Sequence, residues 1–237
     1  MNQFSKKIDQ VVTVLGQAAG DYAPACFANS LGAEDMVLTD LINRHQINIG
    51  IFSLDTGRLP QETYDLMQVI SSRYEVPLNI YFPDTARVEE YVAQQGINAF
   101  YDSVESRKLC CQIRKVEPLR RALSGKRAWI TGMRREQAVT RGTLQLSEYD
   151  AGNGLQKFNP LLDWSTADVW AYIRQNDVPY NKLHDRSYPS LGCAPCTRAV
   201  NAGEDLRAGR WWWEDPDNKE CGLHVGKRFK IKQVQPA

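Results

Sequence analysis

The stretch INIGIFSLDTGRLPQETY, residues 47–64, starts as an unbroken apolar run and turns polar at Asp55, Thr56 and Gly57. A strand buried on both faces of a parallel sheet reads this way, and a helical pattern near 60–74 follows it. Working outward, the same alternation repeats. Upstream lie a helix over 3–19, a short strand at PACFANS (24–30) and AEDMVLTDLINRH, whose Met36, Val37, Leu38, Leu41 and Ile42 share one helical side. Downstream come a strand at LNIYF, a helix near 86–95, the helical but Pro118-interrupted RKLCCQIRKVEPLRRAL, and a strand at RAWIT (127–131). Repeated β-α units predict an α/β fold, a mostly parallel, doubly wound sheet with helices on both faces. STADVWAYIRQND (165–177) opens with Ser165 and Asp168 at capping-box spacing. Beyond about residue 184 the regular pattern fades, so residues 1–183 read as the α/β domain and 184–237 as an irregular C-terminal arm of the same functional unit.

Composition narrows the class. The 237 residues are 43% hydrophobic and 24% charged, ordinary for a soluble globular protein. MNQFSKKIDQVVTVLG lacks the apolar core of a secretory signal, and no apolar run approaches the roughly 18–20 residues that cross a bilayer. The expectation is a cytoplasmic protein without a membrane partner. In that reducing compartment six cysteines point to metal binding or catalysis. A net charge of +1 argues against a nucleic-acid partner. Between Glu105 and Gly142, however, eleven Lys and Arg face three Glu, a local excess that suits a small anion better than a polymer.

Ligands of open parallel sheets bind beyond the carboxyl ends of the strands. Two stretches fall there. In NSLGAEDM, Ser30, Leu31 and Gly32 lead from a strand into a helix whose first N–H groups could hold a phosphate, or could form a plain tight turn. In SLDTG, Asp55, Thr56 and Gly57 end the buried strand and serve either a ligand or a helix cap. Cys193 and Cys196 form a CxxC, and with Cys110 and Cys111 they make four soft ligands. Two adjacent cysteines crowd a single tetrahedral zinc, whereas an iron–sulfur cubane offers each a separate iron. The cluster therefore ranks above zinc, and a redox dithiol below both. Cys26 lies in a buried strand and reads as structural. Cys221 lies in the polar, basic NKECGLHVGKR, where positive neighbours favour the thiolate. Consecutive Trp211, Trp212 and Trp213 cannot all face one ligand; one at most could stack on an adenine, and packing of the arm ranks above that.

These stretches carry a resemblance. SLGAEDMVL, LDTGRLPQETY, KxCCxxRKxEPL, ITGMRREQ, CxxC, RAGRWWWE and KECGLH together resemble the adenosine 5′-phosphosulfate reductases, the iron–sulfur branch of the sulfonucleotide reductases, almost end to end. The resemblance implies an adenine-nucleotide α-hydrolase-like fold and an oxidoreductase of sulfate assimilation. Its substrate would be a small sulfonucleotide, reduced to sulfite and AMP. It further implies a 4Fe–4S cluster on Cys110, Cys111, Cys193 and Cys196, and Cys221 as the nucleophile that becomes an S-sulfonate. Lys115, Arg141, Arg207 and Arg210 would face the phosphate and sulfate, while Ser30, Gly32 and the Asp55-Thr56-Gly57 turn receive the nucleotide. Thioredoxin or a glutaredoxin-like protein would be the electron donor, and a homo-oligomer is compatible with the chain. The nearest rival is reduction of the 3′-phosphorylated nucleotide. A rival of another class, an iron–sulfur sensor on nucleic acid, conflicts with the near-zero net charge.

Overall fold

The computed structural model describes residues 3–137 and 144–215. Among these, β1 (Ala25–Ala28), β2 (Gly50–Leu54), β3 (Leu78–Tyr81), β4 (Ala128–Ile130), β5 (Ser147–Asp150) and β6 (Leu155–Phe158) form one sheet in the order β3-β2-β1-β4-β6-β5. Every neighbouring pair is parallel except the β5/β6 hairpin. The chain winds outward from β1 to β3, then returns to the other side of β1 with β4. The order therefore reverses between β1 and β4, the switch point at which doubly wound sheets open a crevice.

Alternation along the strands assigns the two faces. Phe27, Ile51, Ile130 and Phe158 point into a core shared with α1 (Gln3–Asp21), α2 (Ala33–Arg44), α3 (Gln61–Arg73) and α7 (Thr166–Gln175). Cys26, Phe52 and Trp129 point the other way, onto Leu119 and Leu123 of α6 (Glu117–Leu123). β2 is buried at Ile51, Phe52 and Ser53 because both faces of the strand are covered, as its apolar run predicts. Each such fully buried Leu, Ile or Phe contributes about 1.5–3 kcal/mol.

Two details depart from the pattern read in the sequence. Pro118 does not break its helix. α5 (Val104–Cys111) continues through a π turn, Gln112–Val116, into α6, and Pro118 sits in the first turn of α6, where its missing N–H costs least. The β5/β6 hairpin was not foreseen. Its strands are four residues each, and the signal that marks it is the Asn153-Gly154 turn. The capping box is present: Ser165 accepts from the Asp168 N–H, and Asp168 accepts from the Ser165 N–H at 2.8 Å.

Past α7 the chain runs through short 3-10 turns at Lys182–Arg186 and Ala194–Cys196 and returns against α5. Thr197 and Arg210 form an isolated antiparallel bridge, and the Trp211 N–H donates to the Cys196 carbonyl at 3.2 Å. Trp211 is buried in an apolar cluster with Tyr91, Phe100, Cys110, Cys193 and Cys196, against which Trp213 packs. Two of the three tryptophans thus serve packing, while Trp212 stays partly exposed.

Candidate active site

A cavity of about 260 Å³ opens beyond the carboxyl ends of β1, β2 and β4. One wall is the β1–α2 loop. Leu31 there holds a left-handed backbone (φ +66°), although it is fully buried and its N–H donates to Asn29 Oδ1 at 2.7 Å. A branched side chain in that conformation costs on the order of 1–3 kcal/mol and persists where its surroundings dictate it. Asp35, in the first turn of α2, reaches back to accept the Ser30 N–H at 2.6 Å. Burial pushes the Asp35 carboxyl up to about 7, partly offset by hydrogen bonds from Ser30 and the Gly132 backbone. Asp35 therefore joins the loop after β1 to the loop after β4 across the switch point. Arg134 repeats the link: its guanidinium donates to Glu34 Oε1 (2.7 Å), Glu136 Oε2 (2.7 Å) and the Trp164 carbonyl (3.0 Å). Gly132 lets the loops meet, since a Cβ there would overlap Asp35 Oδ1 and lie 3.1 Å from Glu34 Cβ.

The opposite wall combines the turn after β2, the helix that carries the cysteines, and the arm. Asp55 caps its own turn by accepting the Gly57 N–H at 2.7 Å and the Tyr64 hydroxyl at 2.9 Å. Thr56 faces the arm: its hydroxyl lies 3.2 Å from Cys193 Sγ, and its carbonyl accepts from Arg114 Nη1 at 2.8 Å. The Ala194 N–H donates to the Arg58 carbonyl at 2.8 Å, so the turn and the CxxC loop form one surface.

Cys110, Cys111, Cys193 and Cys196 are all buried and line one small space of about 20 Å³, with Arg107, Arg114, Lys115 and Trp211 around it. Burial raises the Cys110 thiol, against lowering by Arg114 and Lys115. Burial and the neighbouring Cys193 push Cys196 up to about 12. Both shifts favour the protonated thiol at Cys110 and Cys196; a metal centre would stabilise the thiolates. No three His, Cys, Asp or Glu side chains among the described residues are arranged to hold a single metal ion. The structural reading of Cys26 holds: it is buried against Ala128, and burial pushes its thiol up to about 12.

Ser30, Gly32, Thr56, Lys115, Arg207 and Arg210 all line the larger cavity, although they come from four separate stretches of chain. Asp55 and Gly57 shape the turn behind it. Arg141 and Cys221, with His224, lie outside the described residues. Lys115 and Trp211 line both spaces, so the cationic wall of the cavity and the thiol pocket are the two sides of one partition. Asp35, Gly132, Arg134, Arg107 and Trp211 were not foreseen in these roles. A buried acid in a helix's first turn is a weak sequence signal, and Arg107 lies 107 residues from its partner Glu214.

A cavity at the switch point, rimmed by cations and backed by four thiols, defines a nucleotide-binding α/β protein with a cysteine centre. Residues 24–199 match the phosphoadenosine phosphosulfate reductase domain, and the chain belongs to that family. It is 55% identical over 213 residues to the adenosine 5′-phosphosulfate reductase of Allochromatium vinosum, covering 90% of this chain and 83% of that one. The reductase of the same name from Burkholderia cepacia is 52% identical over 223 residues, 94% of this chain and 89% of the relative. Among solved structures, the Candida auris phosphoadenylyl-sulfate reductase in its phosphate complex superimposes with a TM-score of 0.70 at 28% identity, covering 84% of this chain and 98% of that one.

Proposed function

We propose that this chain reduces adenosine 5′-phosphosulfate to sulfite and AMP in sulfate assimilation, with reduced thioredoxin as the two-electron donor. The observation that carries the reading is the shared partition: Lys115, Arg207 and Arg210 face the cavity at the switch point, and Lys115 also faces the four thiols. The cavity lies near the lower end of small-ligand sites, roughly 300 Å³. Its basic wall suits the phosphosulfate, with Ser30, Gly32 and the turn of Asp55, Thr56 and Gly57 receiving the nucleotide.

The donor set fits a 4Fe–4S cluster. Four buried cysteines converge on one small space, and the pair from adjacent positions 110 and 111 suits separate irons better than one zinc ion. Cys110, Cys111, Cys193 and Cys196 would hold it, tying the arm to α5. When bound, such a cluster supplies iron–thiolate bonds and a fixed charge behind the cationic wall. Arg114 and Lys115, which line the thiol space, would offset that charge.

Cys221 is the proposed nucleophile. Its thiolate attacks the sulfate sulfur, the S–O bond to the phosphate breaks, and AMP leaves carrying the bond's electron pair. Lys115, Arg141, Arg207 and Arg210 neutralise the charge that would repel a thiolate from the phosphosulfate. The leaving group is a phosphate, so no general acid is demanded. A thioredoxin thiolate then attacks Cys221 Sγ and releases sulfite. Thioredoxin's second thiol resolves the mixed disulfide, so sulfur gains the two electrons the dithiol loses. Among the described residues no helix is long and apolar enough to cross a membrane.

Incubating the purified protein with each sulfonucleotide and reduced thioredoxin, and assaying sulfite, tests the reading. Sulfite from the 5′-phosphosulfate is expected. Sulfite from the 3′-phosphorylated substrate alone would reassign the substrate, and none from either would overturn the function.

A further inference from the structure

Trp211 joins three observations that the proposed chemistry leaves unused. Its backbone is left-handed (φ +43°), which a bulky side chain adopts only when its surroundings impose it. Its ring is 1% exposed and lies under two guanidiniums, Arg107 at 4.6 Å and Arg210 at 4.8 Å from the ring centroid. Arg107 is held by a bidentate pair to Glu214, Nε to Oε1 at 2.9 Å and Nη2 to Oε2 at 2.7 Å, both side chains being shut off from water.

A buried ion pair is a poor source of net stability, because desolvation of both charges offsets most of their attraction. Its geometry is strict, however, and two N–H···O bonds fix the plane of the Arg107 guanidinium. That plane in turn bears on the Trp211 ring. Glu214 compensates the Arg107 charge, which lowers the cost of holding Arg107 and Arg210 against one ring. On the far side of Arg210, Nη1 donates to the Leu191 carbonyl, and Gly192 leaves room for the guanidinium: a Cβ there would lie 2.5 Å from Arg210 Cζ. Arg210 and Trp211 line the nucleotide cavity, whereas Arg107 and Glu214 do not.

We propose that the Arg107–Glu214 pair is a positioning device that, through Trp211, presets the Arg210 guanidinium in the cavity wall for the anionic end of the substrate. A free arginine loses side-chain entropy when an anion orders it; a guanidinium already held by ring, carbonyl and glycine gap loses less on binding. The inference rests on the proposed substrate site and adds to it two residues that never touch the ligand.

A double-mutant cycle on the anaerobically purified holoprotein tests it, reading dissociation constants for adenosine 5′-phosphosulfate and for adenosine. Arg210→Ala should weaken the phosphosulfate about ten- to a hundredfold. Glu214→Gln should weaken it about tenfold while changing adenosine less than about twofold. The double variant should be no weaker than Arg210→Ala, because residues acting as one unit are not additive. A pair that merely anchors the arm would instead lower both ligands together, or multiply its loss with that of Arg210→Ala. Either result overturns the inference. Should Glu214→Gln not fold, Gly192→Ala displaces Arg210 from the other end without touching the ion pair, and phosphosulfate binding as tight as wild type would refute the device. Wild-type protein that binds adenosine but not the phosphosulfate would remove the substrate reading and this inference with it.

Discussion

Replacing Gly132 with alanine should damage the protein at the point where the loops after β1 and β4 are joined. The new methyl would overlap Asp35 Oδ1 and lie 3.1 Å from Glu34 Cβ and 3.2 Å from Asp35 Cγ. Asp35 cannot swing away cheaply, since it is buried and its other oxygen accepts the Ser30 N–H at 2.6 Å. Overpacking a rigid site costs roughly 1–3 kcal/mol. Loss of a hydrogen bond to a charged group costs about 1.5–3 kcal/mol. The two overlap, because one movement of Asp35 relieves the clash and breaks the bond, so about 2–4 kcal/mol is expected. That is a large share of the roughly 5–15 kcal/mol that holds a domain folded. Urea denaturation measures it directly, and a titration with AMP should show affinity falling about tenfold as the β1–α2 loop leaves its place. Gly16→Ala is the internal control: it lies in α1 with nothing within 4 Å of the added methyl, and should be neutral or stabilising by about 0.5–1 kcal/mol. Gly132→Ala protein as stable as wild type, with unchanged AMP affinity, would refute the linkage of the two loops through Asp35.

Asp35 has a raised carboxyl, about 7 against an ordinary 3.8, so its contribution to stability is fully present at acid pH and is lost as pH rises from about 4 through 7. Urea unfolding of wild type and Asp35→Asn across that range should show the wild type losing ground as pH rises; a pH-independent difference would contradict the burial-raised carboxyl. Cys193→Ser or Cys111→Ser should lower iron and acid-labile sulfide well below the about four of each per chain expected of anaerobically purified wild type; wild type with one zinc and no sulfide would sink the cluster. Sulfur-labelled adenosine 5′-phosphosulfate, without thioredoxin, should leave one label per chain on the peptide holding Cys221, and Cys221→Ser should take up none while keeping its iron. A label on Cys110, Cys111 or Cys26 would refute the proposed nucleophile.

The strands β1 to β4 and the helices between them were legible because they rest on local regularities, whereas the β5/β6 hairpin was not. The apolar run of β2, the one-sided stripe of α2 and the Ser165–Asp168 cap each act within a few residues, and the physics that forms them is short-ranged. The four cysteines were legible for another reason: thiols are scarce in the chain, and adjacency at 110 and 111 restricts the metal chemistry by itself. The roles of Ser30, Asp55 and Lys115 were readable only as positions near strand ends or within a basic stretch. Tertiary structure separated them, placing Ser30 and Lys115 on the cavity while Asp55 caps its own turn. It also decided that Pro118 would ride in a helix through a π turn, because packing of Leu119, Ala122 and Leu123 against the sheet outweighs the local break. Arg107 with Glu214, Arg134 with Glu34, and Asp35 against Gly132 left no trace in the order of residues. Such pairings depend on distance through space between segments about 100 residues apart, and only the folded sheet with its returning arm sets that distance.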